Sequence, residues 1–301
     1  MASVGGEKRQ YVHMAYRVDY YKALAPFCRT QDWRAETLQE SLQMCEHETI
    51  TPLILERLPR SGKILEAGCG NGRWVLFLGR RGRDVVGIDY CTDGLQLLKH
   101  EMPRGSVAAA LVESLPFRAG TFHGVFSHGV VEHFEDGPVA ALREARRVLV
   151  DEGLLVLAVP YNNLWRRMVV NRLHSARNML RRRRGVQLEF CEYRFSRAEV
   201  ERFLTDAGFA VVEMHPADMN PPRSMGLYVD AHDLFGYEPI SMGNVAEGSF
   251  LLRVLVSHSQ DRELSRIGRA LAAAFRRVSP WFACGMVLCI ATAGNKGESV
   301  R

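Results

Sequence analysis

Residues 63–74 run Lys-Ile-Leu-Glu-Ala-Gly-Cys-Gly-Asn-Gly-Arg-Trp, and seventeen residues beyond the last of these glycines stands Asp89, within Gly87-Ile88-Asp89-Tyr90. This pairing restricts the fold more than any other feature of the chain. Ile64 and Leu65 begin a short apolar run with the character of a strand buried on both faces. Gly68, Gly70 and Gly72 then permit a tight bend and a close approach of backbone to a ligand. A second run, Asp84 to Ile88, ends in a carboxylate placed to accept from ribose hydroxyls. The sequence therefore opens a doubly wound, Rossmann-like α/β sheet.

The glycine spacing narrows the ligand. Dinucleotide-binding folds carry G-x-G-x-x-G, whose extra residue accommodates a pyrophosphate. Here the spacing is G-x-G-x-G, and Glu66 stands just before it. A carboxylate beside the turn repels a pyrophosphate but suits a ligand bearing an ammonium and a sulfonium. The stretch resembles motif I of the class I S-adenosylmethionine-dependent methyltransferases. Further segments continue the resemblance in order: Glu113-Ser114-Leu115-Pro116-Phe117, then Phe122 to Phe134, then Leu142 to Leu149 with Gly153 to Pro160, and Ala207-Gly208-Phe209 with Val211 and Val212. It is dense over 63–161, looser over 195–215, and closest to the small-molecule enzymes of the type 11 kind.

The resemblance implies a seven-stranded sheet and S-adenosyl-L-methionine as cofactor. Glu66 would help hold the methionine ammonium, Gly68 and Gly70 would let the backbone pass beneath the ligand, Asp89 would take the ribose hydroxyls, and Tyr90 would lie on the adenine. Many relatives place an aspartate two residues before the glutamate of E-x-L-P-F, where it accepts from the adenine amino group; this chain has Leu111. Adenine contacts then fall to the backbone near Val112 and Glu113, to the Glu113 side chain, or to water. Glu113 reads equally well as a surface carboxylate.

On the acceptor side, His128 follows the fourth strand of the core at the end where open α/β sheets bind ligands. Its near-neutral pKa suits a general base for a hydroxyl acceptor, and it suits a plain pocket wall as well. His133 reads as a structural or cofactor-positioning residue. Tyr161, with Asn162, follows the fifth strand and is a candidate catalytic or acceptor contact, or simple packing on the sheet end. Arg73 could reach the methionine carboxylate, whereas Trp74 reads as core.

Composition bounds the rest. Seven cysteines occur without a C-x-x-C pair, which disfavours zinc; no metal is assigned, and reduced thiols in a cytoplasmic protein are the expectation. The N-terminus has no apolar signal core, and Trp281 to Ala293 is too short to cross a bilayer. Net charge is +5, yet residues 162–197 alone hold ten arginines against two glutamates, leaving −3 for the remainder. These arginines could meet RNA phosphates, an anionic group on a small acceptor, or solvent. The tetrapeptide of many base-modifying relatives is replaced by Ser127-His128-Gly129-Val130, which argues against nucleic acid and for a small-molecule acceptor.

The expected organisation is a helical cap over 1–60, with tyrosines 11, 16, 20 and 21 on its first helix. A cofactor-binding core would comprise 61–161, 195–216 and 284–294. A basic lid would span 162–194, and a second, acceptor-side insertion 217–283. Thr92 and Asp93 are candidate caps for a helix from Gly94, and Ser196 to Glu199 form a capping box. Leu264, Ile267, Leu271 and Phe275 mark an amphipathic helix that, with Trp281 and Phe282, could touch a membrane surface. Pro216, Asn220, Pro221 and Pro222 mark a turn. The sequence assigns no oligomeric state.

Overall fold

A computed structural model of the chain describes residues 15–22, 38–102, 106–218, 224–235, 249–257 and 263–294. Tyr11 and the Asn220-Pro221-Pro222 part of the expected turn lie outside these residues.

Apolar runs flanked by turns give the central strands β2 (Lys63–Ala67), β3 (Asp84–Asp89), β4 (Ser106–Ala109), β5 (Phe122–His128), β6 (Leu149–Pro160), β8 (Phe209–Ala217) and β9 (Met286–Ala293). They form one sheet of seven strands in the order β4-β3-β2-β5-β6-β9-β8, with β9 antiparallel to both neighbours. The strand order reverses between the parallel neighbours β2 and β5, the crevice where such sheets bind ligands.

Because side chains alternate along a strand, neighbouring residues feed different faces. Leu65, Val125, Leu155 and Leu157 pack beneath α5 (Val139–Val148) and α7 (Arg197–Asp206). Ile64, Phe126, Val156 and Leu288 pack on the other side with α1 (Leu38–His47), α2 (Thr51–Arg57), α3 (Arg73–Gly79) and α4 (Thr92–Glu101). Trp74 sits deep in the second cluster, edge-on to Phe77 and Phe126.

The capping box forms as expected: Ser196 Oγ accepts from the Glu199 N–H, and Glu199 Oε2 accepts from the Ser196 N–H at 2.7 Å. Gly208, at φ +86°, ends that helix region. The cap expected for α4 does not: its N-cap is Cys91 without a side-chain bond, and Thr92 and Asp93 lie inside the first turn. The reason is local, since the Cys91 N–H is already taken by Asp89 Oδ1 at 2.8 Å.

The N-terminal tyrosines correct a second expectation. Residues Tyr16–Tyr21 form a strand, β1, antiparallel to β7 (Leu188–Arg194). Tyr16, Val18 and Tyr20 gather with Cys191, the period-two pattern that aromatic and β-branched residues favour in strands. Between β6 and β7 lie a π-helical segment (Arg166–Val170) and α6 (Asn171–Arg183); α8 (Met225–Phe235), α9 (Phe250–Leu255) and α10 (Arg266–Val278) follow β8. On α10 the buried positions are Gly268 and Ala272, while Ile267, expected on the apolar stripe, is exposed. A Cβ at Gly268 would lie 2.1 Å from the Leu255 carbonyl, so only glycine lets the two segments approach. No helix among the described residues is long and apolar enough to cross a membrane.

Candidate functional site

The turn after β2 is built from its glycines. Gly68, Gly70 and Gly72 all have positive φ (+82°, +55° and +75°), a conformation costly for other residues. The Gly68 and Cys69 N–H groups donate to the Ile88 carbonyl at 2.9 and 2.8 Å, which ties the turn to the end of β3. Space is the second reason for Gly68, since a Cβ there would lie 2.4 Å from Val130 Cγ2.

Asp89 is the pin between the two strand ends. Its Oδ2 accepts from the Gly70 N–H at 2.7 Å and its Oδ1 from the Cys91 N–H at 2.8 Å. Each carboxylate oxygen can accept more than one bond, so capacity for ribose hydroxyls remains. Burial raises its pKa while these bonds oppose the shift.

Glu66 is buried, and its Oε2 has no hydrogen-bond partner. Burial drives its pKa well above the usual carboxylate range, with Arg73 pulling the other way. A buried acceptor without a donor is costly, and a ligand ammonium would satisfy it. The residues therefore fit a cofactor of that chemistry. Tyr90, just past the end of β3, is half-exposed.

Arg73 and His128 belong to a cluster that the sequence did not disclose. Glu48, buried just beyond α1, meets Arg73 Nη1 through Oε1 at 2.7 Å and His128 Nε2 through Oε2 at 4.0 Å. Arg73 Nη2 lies 3.2 Å from His128 Nδ1. A guanidinium can only donate, so Nδ1 accepts and the neutral ring carries its proton on Nε2, facing Glu48. Burial, first, and Arg73 lower the His128 pKa, with Glu48 opposing. Asn71, fully buried, holds the turn by donating to Ser41 Oγ at 2.8 Å and accepting from the Arg73 N–H at 3.2 Å. Glu48 lies in no motif, and Asn71 fills an unspecified position of the glycine turn; only the folded contacts disclose their roles.

The segment with Val112 and Glu113 is held firmly at one end. Arg147 donates to the carbonyls of Phe117 and Leu115 at 2.7 and 2.9 Å, and Glu144 accepts from the Leu115 N–H at 2.8 Å. Leu111 and Glu113 are exposed, Val112 is partly buried, and burial followed by Asp136 raises the Glu113 pKa.

Tyr161 occupies a different place from His128. It packs edge-on to Trp281 at 5.3 Å and joins the core cluster beneath α7, whereas His128 stacks on Phe126 on the opposite side of the sheet. Burial raises the Tyr161 pKa and Arg197 opposes it. Asn162 accepts from Asn171 at 2.9 Å. His133 Nδ1 bonds the Cys191 carbonyl at 2.9 Å, and His133, Cys191 and Glu192 offer three donor atoms within 4.8 Å. Arg194 Nε already occupies Glu192 at 3.2 Å, so no metal is assigned there.

Comparison with known proteins agrees with this geometry. Residues 65–157 match a family described as a methyltransferase domain. A probable S-adenosylmethionine-dependent methyltransferase of Mycobacterium tuberculosis is 32% identical over 97 residues, 32% of this chain and 35% of that protein. An uncharacterized protein of the same organism is 34% identical over 173 residues, 56% of this chain and 54% of that one. The chain thus spans 35% to 54% of the length of these relatives. A solved methyltransferase in complex with the Haloferax volcanii Trm112 activator is 18% identical, covers 89% of this chain and 97% of its own, and superposes with a TM-score of 0.53, which shows the shared fold. The glycine turn and Asp89 fall inside the matched segment, so residues 65–157 resemble the methyltransferase domain of these S-adenosylmethionine-dependent relatives.

Proposed function

We propose that this chain transfers a methyl group from S-adenosylmethionine to a small organic acceptor, at oxygen, of glycan, lipid-linked or secondary-metabolite type. The observation that carries the reading is the buried Glu66 oxygen without a donor, beside a glycine turn pinned by Asp89. The sulfonium supplies an activated methyl for in-line displacement. The chain's part is to hold the two reactants close and collinear and to keep water out. Glu66 binds the ammonium, Asp89 the ribose, and Tyr90 with the backbone at Val112 and Glu113 the adenine.

His128 lines this pocket. With Nδ1 accepting from Arg73, its ring has no lone pair left for a substrate proton, so it acts as a positioning residue rather than the base. Tyr161 is the acceptor-side candidate, at the mouth formed by the ends of β6 and β7. The lid, 162–194, and the insertion 217–283 cover the acceptor.

A second reading, an RNA-binding methyltransferase using Arg166 to Arg184, has the arginine count in its favour. Part of that count faces inward: Arg166 is buried on Asp230 at 2.7 Å, and Arg177 reaches Asp233 at 3.8 Å.

The test is calorimetric titration with S-adenosylhomocysteine, with NAD as control, followed by methyl incorporation into candidate acceptors. Saturable binding of the first alone supports the pocket, and binding of neither overturns it. Steeply salt-dependent RNA binding would promote the second reading. His128→Ala should weaken cofactor affinity through loss of the Arg73 contact; a fall in turnover with unchanged affinity would restore His128 as a base.

A further inference from the structure

The segment from Leu164 to Arg184 is amphipathic in the reverse of the usual sense. Its inward positions, 166, the pair 170 and 171, 174 and 178, are spaced three or four residues apart, and four of the five are polar: Arg166, Asn171, His174 and Asn178. They face a buried ionic network. Arg194, 1% exposed, meets Asp233 at 3.2 Å; Asp233 lies 3.6 Å from His174 Nδ1; Arg166 meets Asp230 at 2.7 Å. Asn178 donates to the Asp19 carbonyl at 3.1 Å, which fixes the rotation of α6 against β1.

The outward face carries the segment's large aliphatic side chains among arginines. Met168, Leu173, Met179 and Leu180 are each about half exposed, and Leu164 is 46% exposed. Arg167, Arg172, Arg183 and Arg184, also exposed, are interleaved with them or follow them. The polar network clamps α6 with Leu and Met outward, so this face is presented to solvent by construction.

We propose that this outward face docks on the surface of an anionic lipid bilayer, its Leu and Met side chains entering the interface and its arginines meeting headgroup phosphates. Charge selects this occupant. The lid segment is strongly cationic on a chain that is otherwise slightly acidic, so an anionic surface complements it. A second copy packed face to face would oppose two arginine arrays. Single-stranded RNA is read with stacking aromatics, and the large exposed hydrophobic side chains between 164 and 184 are Leu and Met. The sequence had placed membrane contact on the amphipathic helix with Leu264, Ile267, Leu271 and Phe275 and on neighbouring Trp281 and Phe282. There Trp281 packs on Tyr161 and Arg197 and Phe282 on Phe275, each partly buried, while Ile267 stays exposed. The proposal is independent of the methyl acceptor.

The test is co-sedimentation of the full chain with phosphatidylcholine vesicles and with vesicles containing phosphatidylglycerol. Binding is expected to the anionic vesicles alone. Leu173→Glu with Leu180→Glu should reduce it by roughly tenfold or more. Arg172→Gln with Arg183→Gln should cost roughly fivefold for each charge removed. Both variants should keep the parent's S-adenosylhomocysteine affinity, which shows that they fold. No binding to anionic vesicles overturns the proposal, as does binding that survives both variants. It also falls if the leucine variant abolishes self-association, or the arginine variant abolishes RNA binding, while vesicles bind neither parent nor variant.

Discussion

Asp89 pins two strand ends and is proposed to take the ribose hydroxyls, two roles that one substitution separates by measurement. In the free protein its carboxylate accepts from the Gly70 and Cys91 N–H groups at 2.7 and 2.8 Å. Asp89→Ala strands both donors. Gly70 is buried, so its orphaned N–H costs about 1–3 kcal/mol, whereas Cys91 is partly exposed and water recovers most of its bond, leaving about 0.5–1.5 kcal/mol. Removing a carboxylate that is itself desolvated offsets part of this. A net loss of about 1–3 kcal/mol follows before any ligand is added. Asp89→Asn should lose a similar amount, because its amide nitrogen must face one of the two N–H groups. Urea denaturation of the free protein reads this term. The cofactor term is read by repeating the melt with S-adenosylhomocysteine at about a hundred times its dissociation constant, which should stabilise the parent by about 2.7 kcal/mol and the variants by much less. Unchanged stability of the free variant would refute the pin. An unchanged ligand increment would refute the ribose assignment.

Three further outcomes are expected. Gly68→Ala should destabilise by about 1–2 kcal/mol from positive φ alone and more from the contact with Val130; adding Val130→Ala should recover the second part only, measured by denaturation. Burial lowers the His232 pKa to about 4, so the unfolded chain binds the extra proton between about 6.5 and 4; stability is full above this window and falls as pH drops through it. His232→Gln should flatten that stretch of the stability–pH curve by up to about 3 kcal/mol. Asp233→Ala should cost up to about 3–5 kcal/mol by taking the Nη2 partner from buried Arg194, which keeps only Glu192 at Nε and Asp230 at 3.8 Å, while Arg194→Met with Asp233→Leu should cost less than the single change.

The core was legible because its signals are local. Strand, glycine turn, helix and carboxylate are contiguous in sequence, and the capping box declares its helix within four residues. The residues that were not legible act at long range. Glu48 reaches Arg73 and His128 from an N-terminal loop, and the Ser41–Asn71 bond closes a separation of thirty residues. The strand at Tyr16–Tyr21 was misread because its partner, β7, lies far along the chain. Tyrosines spaced four and five apart imitate a helical stripe until Val18 and Tyr20 are seen against Cys191.

The lid shows a deeper reason for the gap. Periodicity identifies a helix and its two faces, but assigning the apolar face inward assumes that the interior is apolar. Around α6 it is not. Asp230 and Asp233 arrive from α8, Arg194 from β7 and Asp19 from β1, so the interior beside the lid is a charged surface. A helix packed there must present hydrogen-bonding groups inward, because an apolar face would leave those charges without partners. The Leu and Met residues are driven outward by the same requirement. Exposed apolar surface on this lid is therefore a consequence of how α8 and β7 are charged, and reversing its polarity would require replacing the Arg166–Asp230 and Arg194–Asp233 pairs first.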